Sequence, residues 1–103
     1  MQFGRANSHG DASIGTANIV GLHDIEHLRE SFANVVSQRR LQKGWAQEDM
    51  AAYCGLERSY ISRLEKGLRT PSLDVVFRFA AAFKISPQAL VKEVKTKLDC
   101  RND

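Results

Sequence analysis

Apolar residues along most of this chain recur with the period of an α-helix. The first stripe consists of Leu28, Phe32, Val35 and Val36. This spacing places them on one face of a helix, which we predict from about residue 24 to residue 43. Gly44 is expected to end it, because glycine readily takes the left-handed backbone found where helices stop.

Two short helices are predicted next, on either side of Gly55. The first covers about 46–54, and the second covers 57–66 and stops at Gly67. The residues expected to face inward are Met50, Ala51 and Cys54 in the first and Ile61 and Leu64 in the second. Both helices are short enough that their packing, rather than their own propensity, must stabilise them.

Two more helices begin at serines that can cap them. Ser72 precedes a fourth helix, and Ser86 with Pro87 starts a fifth, because a serine hydroxyl accepts from the first turn and proline suits the first helical position. The predicted stripes are Leu73, Val76, Phe77, Ala80 and Phe83 in the fourth helix and Leu90, Val91, Val94 and Leu98 in the fifth. No segment alternates with period two for long enough to form a strand. The predicted fold is therefore all-α, with five helices.

Length and composition fit one globular domain. The chain has 103 residues, of which 43% are hydrophobic and 26% charged, enough for a single core but too few for a barrel enzyme or a doubly wound nucleotide fold. Residues 1–22 hold four of the seven glycines, among Ser, Asn and Thr. This composition predicts a flexible N-terminal tail followed by a folded domain over 24–99.

Three features place the chain in the cytoplasm. Its first residues lack the apolar run of a secretory signal, and the longest uncharged stretch, 12–23, is too polar to cross a bilayer. The two cysteines, Cys54 and Cys100, fit a reducing compartment better than a disulfide framework, so both are expected to be free thiols.

The net charge of +3 is unevenly spread. Residues 1–30 carry two arginines against four acids, whereas residues 31–103 carry thirteen basic against eight acidic residues. The positive charge therefore belongs to the part that is predicted to fold. Such an asymmetry favours a polyanionic partner such as nucleic acid, although many proteins of similar charge bind none.

The short connection between the second and third helices restricts how they can pack. Two short helices joined by a few residues must cross steeply, so a small residue is needed at the crossing and a left-handed residue in the turn. Ala51 meets the first demand and Gly55 the second. Together with the apolar spacing already described, they give the pattern of a helix-turn-helix.

The stretch QEDMAAYCGLERSYISRLEKG closely resembles the lambda-repressor-like, or Xre, family of helix-turn-helix regulators. The resemblance covers roughly residues 32–90 and includes the flanking RRLQKGWAQEDMA and GLRTPSLDVV. Within it, GLERSYISRLEKG is also similar to the controller proteins of restriction-modification systems, one branch of the family.

The resemblance implies roles for individual residues. In the family, the third helix enters the DNA major groove, which implies that Arg58, Ser59 and Arg63 face base edges and that Tyr60 and Ser62 line the groove wall. The positions that match DNA-backbone contacts are Gln47, Lys66 and Thr70, with Arg69 added for its charge and place. Arg40 and Glu65 match an internal salt bridge of some relatives, between the first and third helices.

Other roles stay open for several of these residues. Without the family pattern, Arg58, Arg63 and Lys66 could simply form a solvated helix face. Tyr60 could equally close the edge of the core, and Trp45 is expected to pack in the core rather than stack on a base. Arg39, Lys43 and Arg78 are expected on exposed faces.

The resemblance implies a sequence-specific regulator of transcription without catalytic activity or cofactor, and a repressor is expected. Family members usually bind inverted repeats of double-stranded DNA as homodimers. The fifth-helix stripe with Phe83 is the candidate dimer surface: Phe83, Leu90, Val94 and Leu98. Packing of that stripe on its own domain is an equally good interpretation. The main rival function is an antitoxin or protein-interaction module, whose N-terminal tail folds on a protein partner.

One string suggests a different chemistry. His23 to His27 satisfies H-x-x-E-H, in which two histidines bind zinc and a glutamate acts as base. A catalytic zinc needs a third protein ligand and a cleft, and a small helical domain offers no obvious candidate. The match is therefore interpreted as accidental, with no metal site.

Overall fold

The computed structural model describes residues 21–101. The predicted tail, 1–22, lies outside the described residues except for its last two positions. The five predicted helices are present: α1 Leu28–Gln42, α2 Gln47–Cys54, α3 Arg58–Glu65, α4 Leu73–Phe83 and α5 Pro87–Arg101. A four-residue helix, Leu22–Ile25, precedes them, and we call it the N-terminal turn. No strand occurs in the described range, so the all-α fold is confirmed.

The N-terminal turn divides what the sequence predicted as one helix from residue 24. The Asp24 carboxylate accepts a hydrogen bond from the Gly21 N–H at 3.0 Å. The His27 N–H then donates to the Asp24 carbonyl, three residues back. This bond spans three residues rather than the four of an α-helix, so the N-terminal turn ends there. The long helix begins afresh at Leu28.

The predicted helix boundaries hold elsewhere. Gly44 and Gly67 have left-handed backbone just after α1 and α3. The Ser72 hydroxyl accepts from the Val75 N–H at 3.2 Å, and the Ser86 hydroxyl accepts from the Ala89 N–H at 3.1 Å. These local signals could be recognised in the sequence because each depends only on neighbouring residues.

A single core lies between the five helices. Its fully buried side chains include Val36, Met50, Ile61, Leu64, Phe79 and Leu90. The rings of Phe32 and Phe79 stack with centroids 5.9 Å apart, joining α1 to α4. The inward residues predicted for α2 and α3 are all buried, which confirms the orientation of both helices.

The predicted stripe of α4 is partly wrong. Leu73 and Phe77 are 72% and 53% exposed, whereas Val75 and Phe79, which the stripe omitted, are buried. On α5, Val91 is likewise 52% exposed. Helix α4 packs against both α2 and α5. In this arrangement Leu73 and Phe77 point away from the core.

The expected dimer surface must also be corrected. Phe83, Leu90, Val94 and Leu98 are all at most 5% exposed, because α5 packs against α1 and α4 of its own domain. These side chains are therefore not available to a second copy. The other interpretation of the stripe, as core, is the one observed.

Arg39 joins α1 to α5 rather than lying on a free surface. Its Nε donates to Glu93 Oε1 at 2.9 Å, and its guanidinium carbon lies 5.8 Å from the Phe83 ring centroid. The hydrogen bond to Glu93 raises the pKa of Arg39, with burial opposing it. The expectation of an exposed Arg39 is thus wrong.

None of the helices in the described range is both long and apolar enough to span a bilayer.

Candidate nucleic-acid interface

Helices α2 and α3 form the crossed pair that the sequence predicts. Ala51 is buried at the crossing, and its carbonyl accepts from the Leu56 N–H at 2.9 Å. Gly55 has φ 71°, a left-handed conformation that is costly for residues with a Cβ. Both small residues therefore occupy the positions that the turn requires.

The orientation of α3 is set by its two inward residues. Ile61 and Leu64 are fully buried, so the opposite side of the helix faces solvent. That side presents Arg58, Ser59 and Arg63, which are exposed, with Ser62 half-buried beside them. Four of the five residues expected at base edges or the groove wall thus share an accessible surface.

Tyr60 differs from the other four. It is half-buried against the core, as the core-edge interpretation has it. The Arg69 guanidinium carbon lies 5.7 Å from the Tyr60 ring centroid, a cation–π contact between the loop after α3 and the helix itself. Burial raises the pKa of Tyr60, and the charge of Arg69 opposes this. Arg69 is thereby held at the rim of the exposed α3 surface.

A buried ion pair fixes α3 against α1. Arg40 Nε donates to Glu65 Oε2 at 2.6 Å, and Arg40 Nη2 donates to Glu65 Oε1 at 3.0 Å. A third bond runs from Arg40 Nη1 to the Trp45 carbonyl at 2.7 Å. The side chains of Arg40 and Glu65 are only 12% and 7% exposed. The predicted salt bridge is confirmed and also holds the entry to α2.

Gln47 belongs to the same network. Its Nε2 donates to Glu65 Oε1 at 3.1 Å, so the start of α2 is bonded to the end of α3. Of the other expected DNA-backbone contacts, Lys66, Arg69 and Thr70 are exposed just after α3. Three of the four expected DNA-backbone contacts thus follow the end of α3, and Gln47 lies at the start of α2.

Trp45 packs on the domain, as expected, rather than standing free. Its ring stacks on Phe83 with centroids 5.9 Å apart and contacts Tyr53 at 4.5 Å. Lys43 Nζ lies 5.7 Å from the Trp45 ring centroid. The indole therefore covers one edge of the core where α1 gives way to α2.

Sequence reasoning missed the environment of Arg78. Arg78 Nη1 donates to the Cys54 carbonyl at 3.0 Å, and its Nε donates to Asp74 Oδ2 at 3.0 Å. The four-residue spacing signals the pair with Asp74. Nothing in the sequence signals a backbone acceptor at the end of another helix.

Within the described residues, no group of three or more His, Cys, Asp or Glu side chains is placed to hold a metal ion. The side chain of His23, one end of the H-x-x-E-H string, lies outside the described part, so the interpretation of that string stays a prediction.

The two thiols are free and differ in environment. Cys54 is buried and Cys100 is exposed. Burial raises the pKa of Cys54 to about 11, with the charge of Arg78 opposing it.

We expect a thiolate-directed reagent at pH 8 to modify Cys100 quickly and Cys54 only after unfolding, because the thiolate is the reactive form. Mass spectrometry of native and denatured protein checks this, and fast native labelling of Cys54 would show that its site opens readily.

Comparison with known proteins agrees with this geometry. The helix-turn-helix family model matches residues 36–90, which hold α2, α3 and α4 complete. The chain belongs to the Xre-like helix-turn-helix family. This is a family of DNA-binding transcription regulators, and its match covers every residue of the exposed α3 surface.

Three helix-turn-helix relatives show how similar this chain is to controller proteins. Control protein C.BamHI of Bacillus amyloliquefaciens is 38% identical over 66 residues, 63% of this chain and 82% of that protein. The controller C.AhdI of Aeromonas hydrophila is 35% identical with a TM-score of 0.58, covering 60% of this chain and 94% of that one. The controller C.Esp1396I, solved as a tetramer on its 35 base-pair operator, is 25% identical with a TM-score of 0.63, covering 69% and 93%.

Proposed function

We propose that the protein binds a specific double-stranded DNA sequence and regulates transcription by inserting α3 into the major groove. The observation that carries the proposal is that α3 has one buried apolar side and one exposed polar side. Ile61 and Leu64 are fully buried while Arg58, Ser59 and Arg63 are exposed on the other side. The buried Arg40–Glu65 pair holds that helix in place, so its polar surface is presented in one orientation.

The exposed residues divide into two roles. An arginine on α3 can donate two hydrogen bonds to guanine, which discriminates between bases by about 1–3 kcal/mol. We assign this reading role to Arg58 and Arg63, with Ser59 and Ser62 beside them and Tyr60 at the groove wall. Lys66, Arg69, Thr70 and Gln47 are assigned to phosphates, which set the register without reading sequence.

We also propose that the protein acts as a homodimer, through a surface other than the one that the sequence predicted. Leu73, Phe77, Pro87 and Val91 line an open groove of about 640 Å³ between α4 and α5. We call this the α4–α5 patch. The apolar surface continues past Val91 to the exposed Leu22 and Ile25 of the N-terminal turn. Exposed apolar surface of this kind marks interaction sites.

The apolar residues of the patch are suited to a second copy of the same chain. On α5 the patch is bordered by Lys92 and Lys95, and Lys95 is paired with Asp99 of the same helix. A two-fold axis through the patch brings α4 of one copy towards α5 of the other, since such an interface is self-complementary. The exposed Leu73 and Phe77 of one copy then pack against Val91 of the other.

Dimerisation supports a mode of action on DNA. Two recognition helices about 34 Å apart meet successive major grooves on one side of an inverted repeat. Occupation of such a site overlapping a promoter blocks polymerase, so we propose repression by steric exclusion. The proposed location is the cytoplasm.

The proposal is tested by separating the base-reading residues, which we call readers, from the phosphate-contacting residues, which we call anchors. Binding sites are first selected from a random duplex pool, and affinities are then measured against salt. Arg58→Ala is expected to abolish discrimination at one position of each half-site, at a cost of about 1–3 kcal/mol. Lys66→Ala is expected to weaken all sequences alike and to lower the slope of log affinity against log salt by about 1.

A matched control is Lys97→Ala, which removes one positive charge from α5, away from α3 and outside the α4–α5 patch. It should leave both base discrimination and salt slope close to those of the wild type. If Arg58→Ala and Lys66→Ala lower affinity in the same uniform way, the division into readers and anchors is wrong. If the wild type selects no sequence at low salt, the proposed function is wrong.

A further inference from the structure

Arg78 lies between the helix-turn-helix and the α4–α5 patch. It is on α4, one residue after Phe77 of the patch. Its Nη1 donates to the Cys54 carbonyl at 3.0 Å, and Cys54 is the last residue of α2. In return, the Cys54 thiol lies 4.0 Å from the Arg78 carbonyl oxygen. The end of α2 and the middle of α4 are thus bonded in both directions.

The Cys54 carbonyl, at the end of α2, has no hydrogen-bond donor within its own helix. The last carbonyls of an α-helix have no donor within the helix, and an outside donor that reaches them fixes where the helix ends. A cationic donor is especially effective there, because these carbonyls carry the negative end of the helix dipole. Arg78 therefore holds the C-terminus of α2 from outside.

The same guanidinium also lies close to the turn. A Cβ added to Gly55 would lie 3.0 Å from Arg78 Nη1. The bond to the Cys54 carbonyl orients its planar group across this turn. A side chain of α4 thus bonds the chain at the point where it leaves α2 for α3.

We propose that Arg78 is a positioning residue that fixes the angle of α3 relative to the α4–α5 patch. Helix α4 carries the patch on its solvent side and Arg78 towards the turn, so the same helix contacts the second copy and orients the reading helix. The spacing of the two reading helices in the dimer then depends on this bond. The proposal rests on the DNA binding and the dimer proposed above.

The first test uses DNA of altered spacing. The wild type is measured on its selected inverted repeat and on versions with the half-sites moved one base pair closer or farther apart. Arg78→Ala is expected to reduce the preference for the natural spacing roughly tenfold, the size of effect expected when one hydrogen bond to a charged group is lost. Arg78→Lys, which keeps a donor for the Cys54 carbonyl, should restore part of that preference.

Asp74→Asn is the matched control. It weakens the ion pair of Arg78 on the exposed side and leaves the bond to Cys54, so the spacing preference should stay near that of the wild type. A uniform loss of affinity at every spacing in Arg78→Ala, or an unchanged preference, overturns the proposal, because either result shows a structural role at most.

A second measurement does not depend on DNA. Amide hydrogen exchange of Gly55 and Leu56 is expected to become at least about tenfold faster in Arg78→Ala than in Asp74→Asn, with exchange in α1 unchanged. Unchanged exchange at the turn overturns the proposal whatever the DNA result. If the wild type selects no DNA, the proposed function fails, and the exchange rates alone then decide whether Arg78 holds the turn.

Discussion

Replacing Glu65 with alanine is expected to lower the free energy of unfolding by about 3–5 kcal/mol, the usual cost of removing one partner of a buried ion pair. The Arg40 guanidinium would stay where it is only 12% exposed, without the carboxylate that accepts two of its hydrogen bonds. Gln47 would lose its acceptor as well. Urea unfolding followed by circular dichroism measures the loss.

The size of this loss of stability distinguishes a buried ion pair from a solvent-exposed one. Asp99→Ala is the matched control, because it removes the carboxylate of a more exposed pair with Lys95 within one helix. Such pairs contribute at most about 1 kcal/mol. The double variant Arg40→Met with Glu65→Met should recover much of the stability, since apolar residues can replace a buried pair at little cost. A loss below about 1 kcal/mol for Glu65→Ala would mean that water reaches Arg40.

Replacing Phe77 with glutamate is expected to raise the dimer dissociation constant roughly hundredfold, because an aromatic anchor is lost and an unpaired charge is buried in its place. Phe77 is 53% exposed in the single domain, so the fold itself should be unaffected. Sedimentation velocity over a range of protein concentrations measures the dimer. Affinity for the full inverted repeat should fall with it, whereas a single half-site should bind as before.

Leu41→Glu is the matched control for Phe77. Leu41 is 62% exposed on α1 and lies outside the α4–α5 patch, so the same charge there should leave the dimer unchanged. If Phe77→Glu dimerises as well as the wild type does, the patch is not the interface. If the wild type itself is monomeric at high concentration, the homodimer proposal is wrong.

The α4 stripe shows where sequence reasoning fails and why. Nine of the eleven residues of α4 are apolar, and only Asp74 and Arg78 interrupt them. The pattern therefore permits more than one inward face. The choice between Leu73 with Phe77 and Val75 with Phe79 depends on how α2 and α5 approach α4, and no local signal carries that information.

The inward and outward sides of α3 were predicted better, because their signals are local or strongly patterned. Ile61 and Leu64 had to be inward for α3 to pack, and that placement leaves Arg58 and Arg63 outside. The bond from Arg78 to the Cys54 carbonyl joins positions 24 residues apart. A backbone acceptor leaves no trace in the residue types, so packing alone reveals it.

Trp45 has a practical consequence. It is the single tryptophan of the chain, and it sits on Phe83 where α1 ends and α2 begins. Tryptophan fluorescence therefore comes from one half-buried indole, in a residue whose backbone carbonyl accepts from Arg40 Nη1. Tryptophan emission reports on the packing between α1 and α2, next to the Arg40–Glu65 pair that holds α3 against α1. No added dye is needed.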